Sequence, residues 1–218
     1  MAKKKSTFLN MTVTLFLISA VSSTILASIY VLTTDIIKEA REKKIKESIS
    51  AIIPAAKSAT SIEEISKISL DVKNADSLCF YIIRENKKII GTAVKSYTDE
   101  GFSGRISIMV GFDEDGNIID TDVLEHQETP GLGNKIAKSV SNWNEQFKGK
   151  NPQSETFKVK KDKGDIDALT AATISSRAYI DAIKRASYAY EKYFKDYIFN
   201  QNSTINNQNL GKEGTNNE

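Results

Sequence analysis

The chain has 218 residues but only one cysteine, one histidine, one tryptophan and three prolines. The single cysteine, Cys79, excludes an intramolecular disulfide, a CxxC redox pair and a CxxCH haem site. It stands in an apolar run and reads as a small buried hydrophobe. One histidine, His126, argues against a zinc centre built from protein ligands alone. Neither sign of charge dominates: 30 basic and 28 acidic residues leave a formal net charge of +2. No basic face of the kind that binds nucleic acid follows from that balance. A Gly-rich dinucleotide fingerprint and a nucleophile–base pair are also missing, so nothing points to a stand-alone enzyme with a soluble substrate.

What is present begins with an apolar run. Phe8 to Leu32 contains no charged residue, and Lys3, Lys4 and Lys5 stand just before it. Roughly 20 helical residues cross a bilayer core, so residues 8–32 read as a single transmembrane anchor. The competing reading is a cleaved signal peptide, but its apolar region is shorter and ends in a small-residue cleavage site that this run lacks. The short basic start places residues 1–7 in the cytoplasm and the remainder outside. Lys38, Arg41, Lys43, Lys44 and Lys46 oppose that orientation, though long domains translocate largely regardless of such charge.

Residues 33–78 read as a helical connector. Ile37, Ile45, Ile49 and Ile52 fall near the helical period, and residues 54–76 read as a short helix with loops. From Cys79 the pattern changes to strands. Cys79–Arg84 and Lys88–Lys95 bracket a hairpin. Ile106, Ile108, Val110 and Phe112 alternate as a strand with one buried face, and Asp113 to Gly116 turns the chain into a further strand over residues 117–125. Ile136, Val140, Trp143 and Phe147 share a helical face, Phe157 to Lys160 reads as one more strand, and a last helix runs from about Ile174 to Phe199. Residues 79–199 thus form a mixed α+β domain with a mainly antiparallel sheet and flanking helices. The Asn- and Gln-rich residues 200–218 are too polar to fold.

The densest chemical signal is Asp167-Ala-Leu-Thr-Ala-Ala-Thr-Ile-Ser-Ser176, where small hydroxyl residues crowd the mouth of that last helix. Ile174, Ala178, Ile183, Ala186 and Tyr190 give the helix its apolar face. A helix start offers unpaired N–H groups and a positive dipole end, which suit a phosphate. An ordinary Ser/Thr cap is the plainer reading of the same residues. A second candidate is Glu128-Thr-Pro-Gly-Leu-Gly133. Gly131 and Gly133 mark either a tight turn or a place where backbone approaches a flat ring, with Leu132 as apolar contact and Glu128 or Thr129 holding the loop. His126 reads as a strand end with a local hydrogen bond, and Trp143 as core packing rather than a stacking platform. Asp167 reads as a dipole or Asx-turn contact ahead of the helix. Gly101-Phe-Ser-Gly104 reads as a hairpin loop.

Both blocks, in this order and separation, resemble the FMN-binding domain family. Asp167-x-x-Thr170-Ala171-Ala172-Thr173-x-Ser175 is similar to its flavinylation motif, and Glu128 to Gly133 to the loop that lies against the flavin. With the apolar N-terminal segment, the resemblance extends to the G subunits of Rnf ion-translocating electron-transport complexes, close relatives of the C subunit of the sodium-pumping NADH:quinone reductase. It implies covalent FMN joined by its phosphate to Thr173, with Thr170, Ala171, Ala172, Ile174, Ser175, Glu128, Thr129, Gly131, Leu132 and Gly133 around it. It also implies maturation by a flavin transferase, which Asp167 helps to recruit. Further implications are partnership with other membrane and soluble subunits, and electron flow between ferredoxin and NAD coupled to Na⁺ or H⁺ movement. Ala171 stands where the family has Gly, so the added methyl is expected either to crowd the phosphate loop or to demand a negative φ. The rival from another class is an anchored extracytoplasmic binding or scaffold domain without redox function.

Overall fold

The computed structural model describes residues 8–57, 61–68, 78–85, 88–154 and 156–194. They fall into two compact units, one up to Lys44 and one from Ile45 onward. The first unit is the greater part of helix α1 (Phe8–Ile52). This helix is long and apolar enough to cross a membrane, and its most apolar window has no buried residue. Several hydroxyls along it are satisfied within the helix: Thr12, Thr14, Ser19, Thr24, Ser28 and Thr34 each donate to the carbonyl four residues back, at 2.6–3.0 Å. Internal satisfaction of this kind is what a hydrocarbon environment demands. Pro54 follows within two residues of the helix end, where it disfavours helical geometry at Ile53.

The second unit is built on a five-stranded antiparallel meander in the order β1 (Ser61–Ile68), β2 (Leu78–Glu85), β3 (Lys88–Gly101), β4 (Gly104–Phe112) and β5 (Ile118–Glu125). Alternation assigns the faces. Leu78, Phe80 and Ile82 point into one core, with Val94, Ile106, Ile108, Val110 and Phe112. Cys79, Tyr81 and Ile83 point into the other, with Ala93 and Met109. The first core is closed by helix α2 (Thr173–Tyr193), whose Ala178, Ala182, Ile183, Ala186, Ala189 and Tyr190 are buried. The alanines allow close approach, and buried Ser96 of β3 donates to the Ala182 carbonyl at 2.8 Å. The second core is closed by Ile49, Ile52, Ile53 and Ala56. Both faces of β4 are therefore covered, rather than the one that its alternation suggests.

Three other expectations need correction. Residues 61–68 are a strand, not part of a helical connector. Their isoleucines recur every third residue, which mimics a helix, but a β-bulge between Glu64 and Ser66 breaks the alternation while the backbone pairs with β2. Residues 136–147 do not form one helix: two short 3₁₀ segments, Gly133–Ile136 and Trp143–Phe147, flank a break. Ser141 makes that break, donating to the Lys135 carbonyl at 2.6 Å and accepting from the Trp143 N–H at 3.2 Å, so a side chain takes over backbone hydrogen bonding. Val140 is consequently exposed. In place of a strand at Phe157 to Lys160 there is one parallel bridge, Val159 to Ile166, and a 3₁₀ turn at Lys160–Asp162. Helix α2 ends at Tyr193, with Phe194 stacked on Phe80 at 4.0 Å. The expected continuation to Phe199 and the tail 200–218 lie outside the described residues.

Candidate functional site

Three segments meet at the start of α2: the β3–β4 hairpin tip, the loop after β5, and the stretch before Thr173. The last of these is fixed from behind. Trp143 Nε1 donates to the Asp167 carbonyl at 2.6 Å, and the Gln146 side chain brackets Asp167 through its N–H at 2.8 Å and its carbonyl at 3.2 Å. Trp143 packs edge-on against Phe147 and Tyr179, as the core reading expects. Tyr179 is fully buried, and loss of solvation pushes its phenol pKa far up. Its hydroxyl accepts from Asn144 at 3.0 Å and donates to Thr121 at 2.9 Å, tying the turn at 143–147 to the sheet and to α2. The Asp167 carboxylate is exposed and pairs with Lys160 at 2.7 Å.

The four hydroxyls of the motif are sorted by this arrangement. Ser176 accepts from the Leu169 N–H at 2.9 Å and donates to the Ala172 carbonyl at 3.0 Å, stapling the turn. Ser175 is buried and donates to the Glu128 carboxylate. Thr170 is exposed and lies off the cavity described below. Thr173 lines that cavity, and among the described residues its Oγ1 accepts only from Lys161, at 3.4 Å. No side chain caps α2: its first flanking residue is Ala172. Among the described residues the ordinary Ser/Thr cap is therefore absent, and the N–H groups of the first turn have no side-chain partner.

Ala171 enters this turn at φ +60°. The methyl has not forced a negative φ. Instead the residue keeps the left-handed geometry for which glycine is suited, at a cost of roughly 1–2 kcal/mol. Ala171→Gly should raise stability by about 0.5–1 kcal/mol, the relief being partly offset by glycine's greater entropy when unfolded. Urea unfolding of the two proteins checks this, and a less stable glycine variant would show that the methyl's contacts outweigh its strain.

Glu128 is only 4% exposed. Besides Ser175 it accepts from the Ser103 N–H at 3.0 Å, so one carboxylate joins all three segments. Its own N–H donates to His126 Nδ1 at 3.1 Å, the local role expected for that histidine. Gly133 lies against this joint: a Cβ there would fall 2.5 Å from Glu128 Oε2 and 2.6 Å from Ser175 Oγ. Gly131 differs, with φ +79°, open space around it and an N–H bonded to Asn134 Oδ1 at 2.8 Å, the signature of a turn.

Between the segments lies a cavity of about 290 Å³, lined by Phe102, Glu128, Thr129, Leu132, Gly133 and residues 171–175. Phe102, Leu132 and Ile174 are 66%, 43% and 49% exposed, so three large hydrophobes rim one opening. Ile174 thus faces the cavity and not the core, contrary to its place in the helical repeat. The residues fit FMN on two counts. An apolar rim suits a flat ring, and an uncapped helix start beside an ammonium suits a phosphate. Sequence reasoning took Phe102 as part of a hairpin loop without chemistry and gave Lys161 no role, although an aromatic residue between two turn glycines was a usable signal for the former.

Comparison with known proteins agrees with this geometry. A family model described as an FMN-binding domain matches residues 101–187. The chain is 34% identical over 189 residues to the G subunit of the ion-translocating oxidoreductase complex from Aliivibrio fischeri (strain MJ11), covering 82% of this chain and 89% of that protein. Against the protein of the same name from Vibrio parahaemolyticus, identity is 32% over 193 residues, covering 86% and 91%. The Salmonella typhi counterpart is 43% identical over a shorter stretch of 109 residues, covering 49% and 53%.

Proposed function

The chain belongs to the family of G subunits of ion-translocating oxidoreductase complexes, and we propose that it is a membrane-anchored electron-transfer subunit carrying FMN through a phosphate bond to Thr173. The observation that supports this most directly is the sorting of hydroxyls at α2, which leaves Thr173 facing an apolar-rimmed cavity while Ser175 and Ser176 are bonded internally. Phe102, Leu132 and Ile174 would hold the ring, and the first turn of α2 with Thr173 would hold the phosphate. When bound, FMN supplies one- and two-electron chemistry that no side chain here provides. The chain's own part is to fix the carrier, shield one side of it from water and aim it at neighbouring centres. Glu128 serves that part indirectly, by joining the three segments.

The complex is of the Rnf type, passing electrons between ferredoxin and NAD and moving Na⁺ or H⁺, with a flavin transferase required for maturation. A C-type subunit of a sodium-pumping quinone reductase is the nearest alternative. The Lys-rich start and the charge-free run support a cytoplasmic N-terminus and a flavin domain outside. One experiment addresses both flavin and orientation. Cells making the chain with a flavin transferase should yield a band that fluoresces under ultraviolet light on a denaturing gel, and protease added to intact spheroplasts should remove it. A dark band would leave the non-redox scaffold as the better reading. A fluorescent band that survives in spheroplasts but not in inverted vesicles would reverse the orientation.

A further inference from the structure

The turn ahead of α2 is crowded with charge, and part of it is held in ion pairs. Lys160 bonds Asp167 at 2.7 Å. Arg177 grips Asp162 with two bonds of 2.7 and 2.8 Å, which hold that carboxyl below its ordinary range. Lys161 differs. Among the described residues it forms no ion pair with a carboxylate, and its ammonium instead meets the Thr173 hydroxyl at 3.4 Å, twelve positions along the chain. The backbone beneath it is well held. Val159 and Ile166 are buried and bridged, with Lys160 N–H to Ile166 carbonyl at 2.8 Å and Ile166 N–H to Lys158 carbonyl at 3.0 Å.

The charge of this ammonium is felt by the neighbouring Asp162, which Arg177 already holds, but the group it meets directly is a neutral hydroxyl, whereas a phosphodiester on the same oxygen carries one negative charge. One ammonium and the positive start of an uncapped helix match that charge. We infer that Lys161 is a positioning residue for the flavin phosphate: it neutralises the diester on Thr173 and, in the chain that carries no attached flavin, favours a phosphorylated flavin over the bare ring system. This rests on attachment at Thr173. Lys161 is exposed, so its contribution is that of a solvated ion pair and not of a buried one.

The test uses the full-length chain in detergent, made without transferase, and compares FMN with riboflavin, which lacks the phosphate. Binding is followed by quenching of flavin fluorescence. Lys161→Ala should weaken FMN about fivefold and leave riboflavin unchanged, a difference that shrinks in about 0.5 M salt. Lys161→Arg should restore FMN binding, and Lys160→Ala should leave it unaltered. Equal FMN affinity in wild type and Lys161→Ala, or an equal loss for FMN and riboflavin, would overturn the role. The same chains made with transferase separate the two levels. A dark wild-type band removes the attachment at Thr173 itself, while a fluorescent wild type whose Lys161→Ala counterpart keeps full FMN preference removes Lys161 alone.

Discussion

Thr173→Ala is expected to abolish the fluorescent band completely while the protein folds with nearly unchanged stability. A helix cap replaced by alanine ordinarily costs about 0.5–2 kcal/mol, but Thr173 is the first residue of α2 and caps nothing: the flanking position is Ala172, with no side-chain cap. Among the described residues its hydroxyl meets only Lys161, at 3.4 Å on an exposed surface, so its removal should change stability by no more than about 0.5 kcal/mol. Loss of a covalent attachment point, by contrast, is all or none. Neighbouring hydroxyls offer no substitute. Ser175 is buried and committed to Glu128, Ser176 staples the turn, and Thr170 lies away from the cavity. Ultraviolet imaging of denaturing gels and thermal unfolding, run on wild type and Thr173→Ala made with a flavin transferase, check the two halves separately. A Thr173→Ala chain that still fluoresces after denaturation would remove the attachment from this residue. A chain that loses the band only because it unfolds would return Thr173 to a structural role.

The central hairpins were legible because their alternation is a local property: Phe80 and Ile82 face one core and Cys79, Tyr81 and Ile83 the other, as period two requires. Where local pattern and tertiary pairing conflict, the pattern misled. The isoleucines of residues 61–68 recur every third residue, yet an available edge of β2 and one bulge make the segment a strand. Ile136, Trp143 and Phe147 do pack inward, but through two 3₁₀ turns that Ser141 separates. At the site, two contiguous blocks could be read because each carries its own chemistry, a hydroxyl cluster in one and closely placed glycines in the other. Phe102 and Lys161 were harder to read: the first had only its place between two turn glycines to mark it, and the second had no mark of its own. They come from a hairpin tip and a charged turn, and only folding brings Phe102 to the cavity that Thr173 lines and Lys161 to the Thr173 hydroxyl. Ile174 carried two readings, one on the apolar face by periodicity and one beside the cofactor by resemblance, and at the first turn of α2 it lines the cavity.

Gly133→Val should damage both the fold and the flavin site, with the fold affected first. The position has no positive φ, so the demand for glycine is one of space alone. An added Cβ would stand 2.5 Å from Glu128 Oε2, 2.6 Å from Ser175 Oγ and 3.0 Å from Glu128 Cβ. These atoms cannot simply swing away. Glu128 is 4% exposed and Ser175 1% exposed, and they are bonded to each other. Relief of the clash therefore parts the carboxylate from its partner. A buried acceptor left unsatisfied costs about 1–3 kcal/mol, and overpacking adds about 1–3 kcal/mol more. A combined loss of about 2–6 kcal/mol is a large fraction of a domain's stability. Ser103 shares Glu128, at 3.0 Å, so the hairpin tip carrying Phe102 loosens with it. Gly131→Ala provides the contrast: at φ +79° with open space around it, the added methyl meets strain but no neighbour, and about 1–2 kcal/mol is expected. Urea unfolding ranks the two variants, and flavin absorbance in each, measured where it remains folded, reports on the cavity. If Gly133→Val unfolds at the wild-type midpoint with an unaltered flavin spectrum, the Glu128–Ser175 joint is not what holds the three segments together.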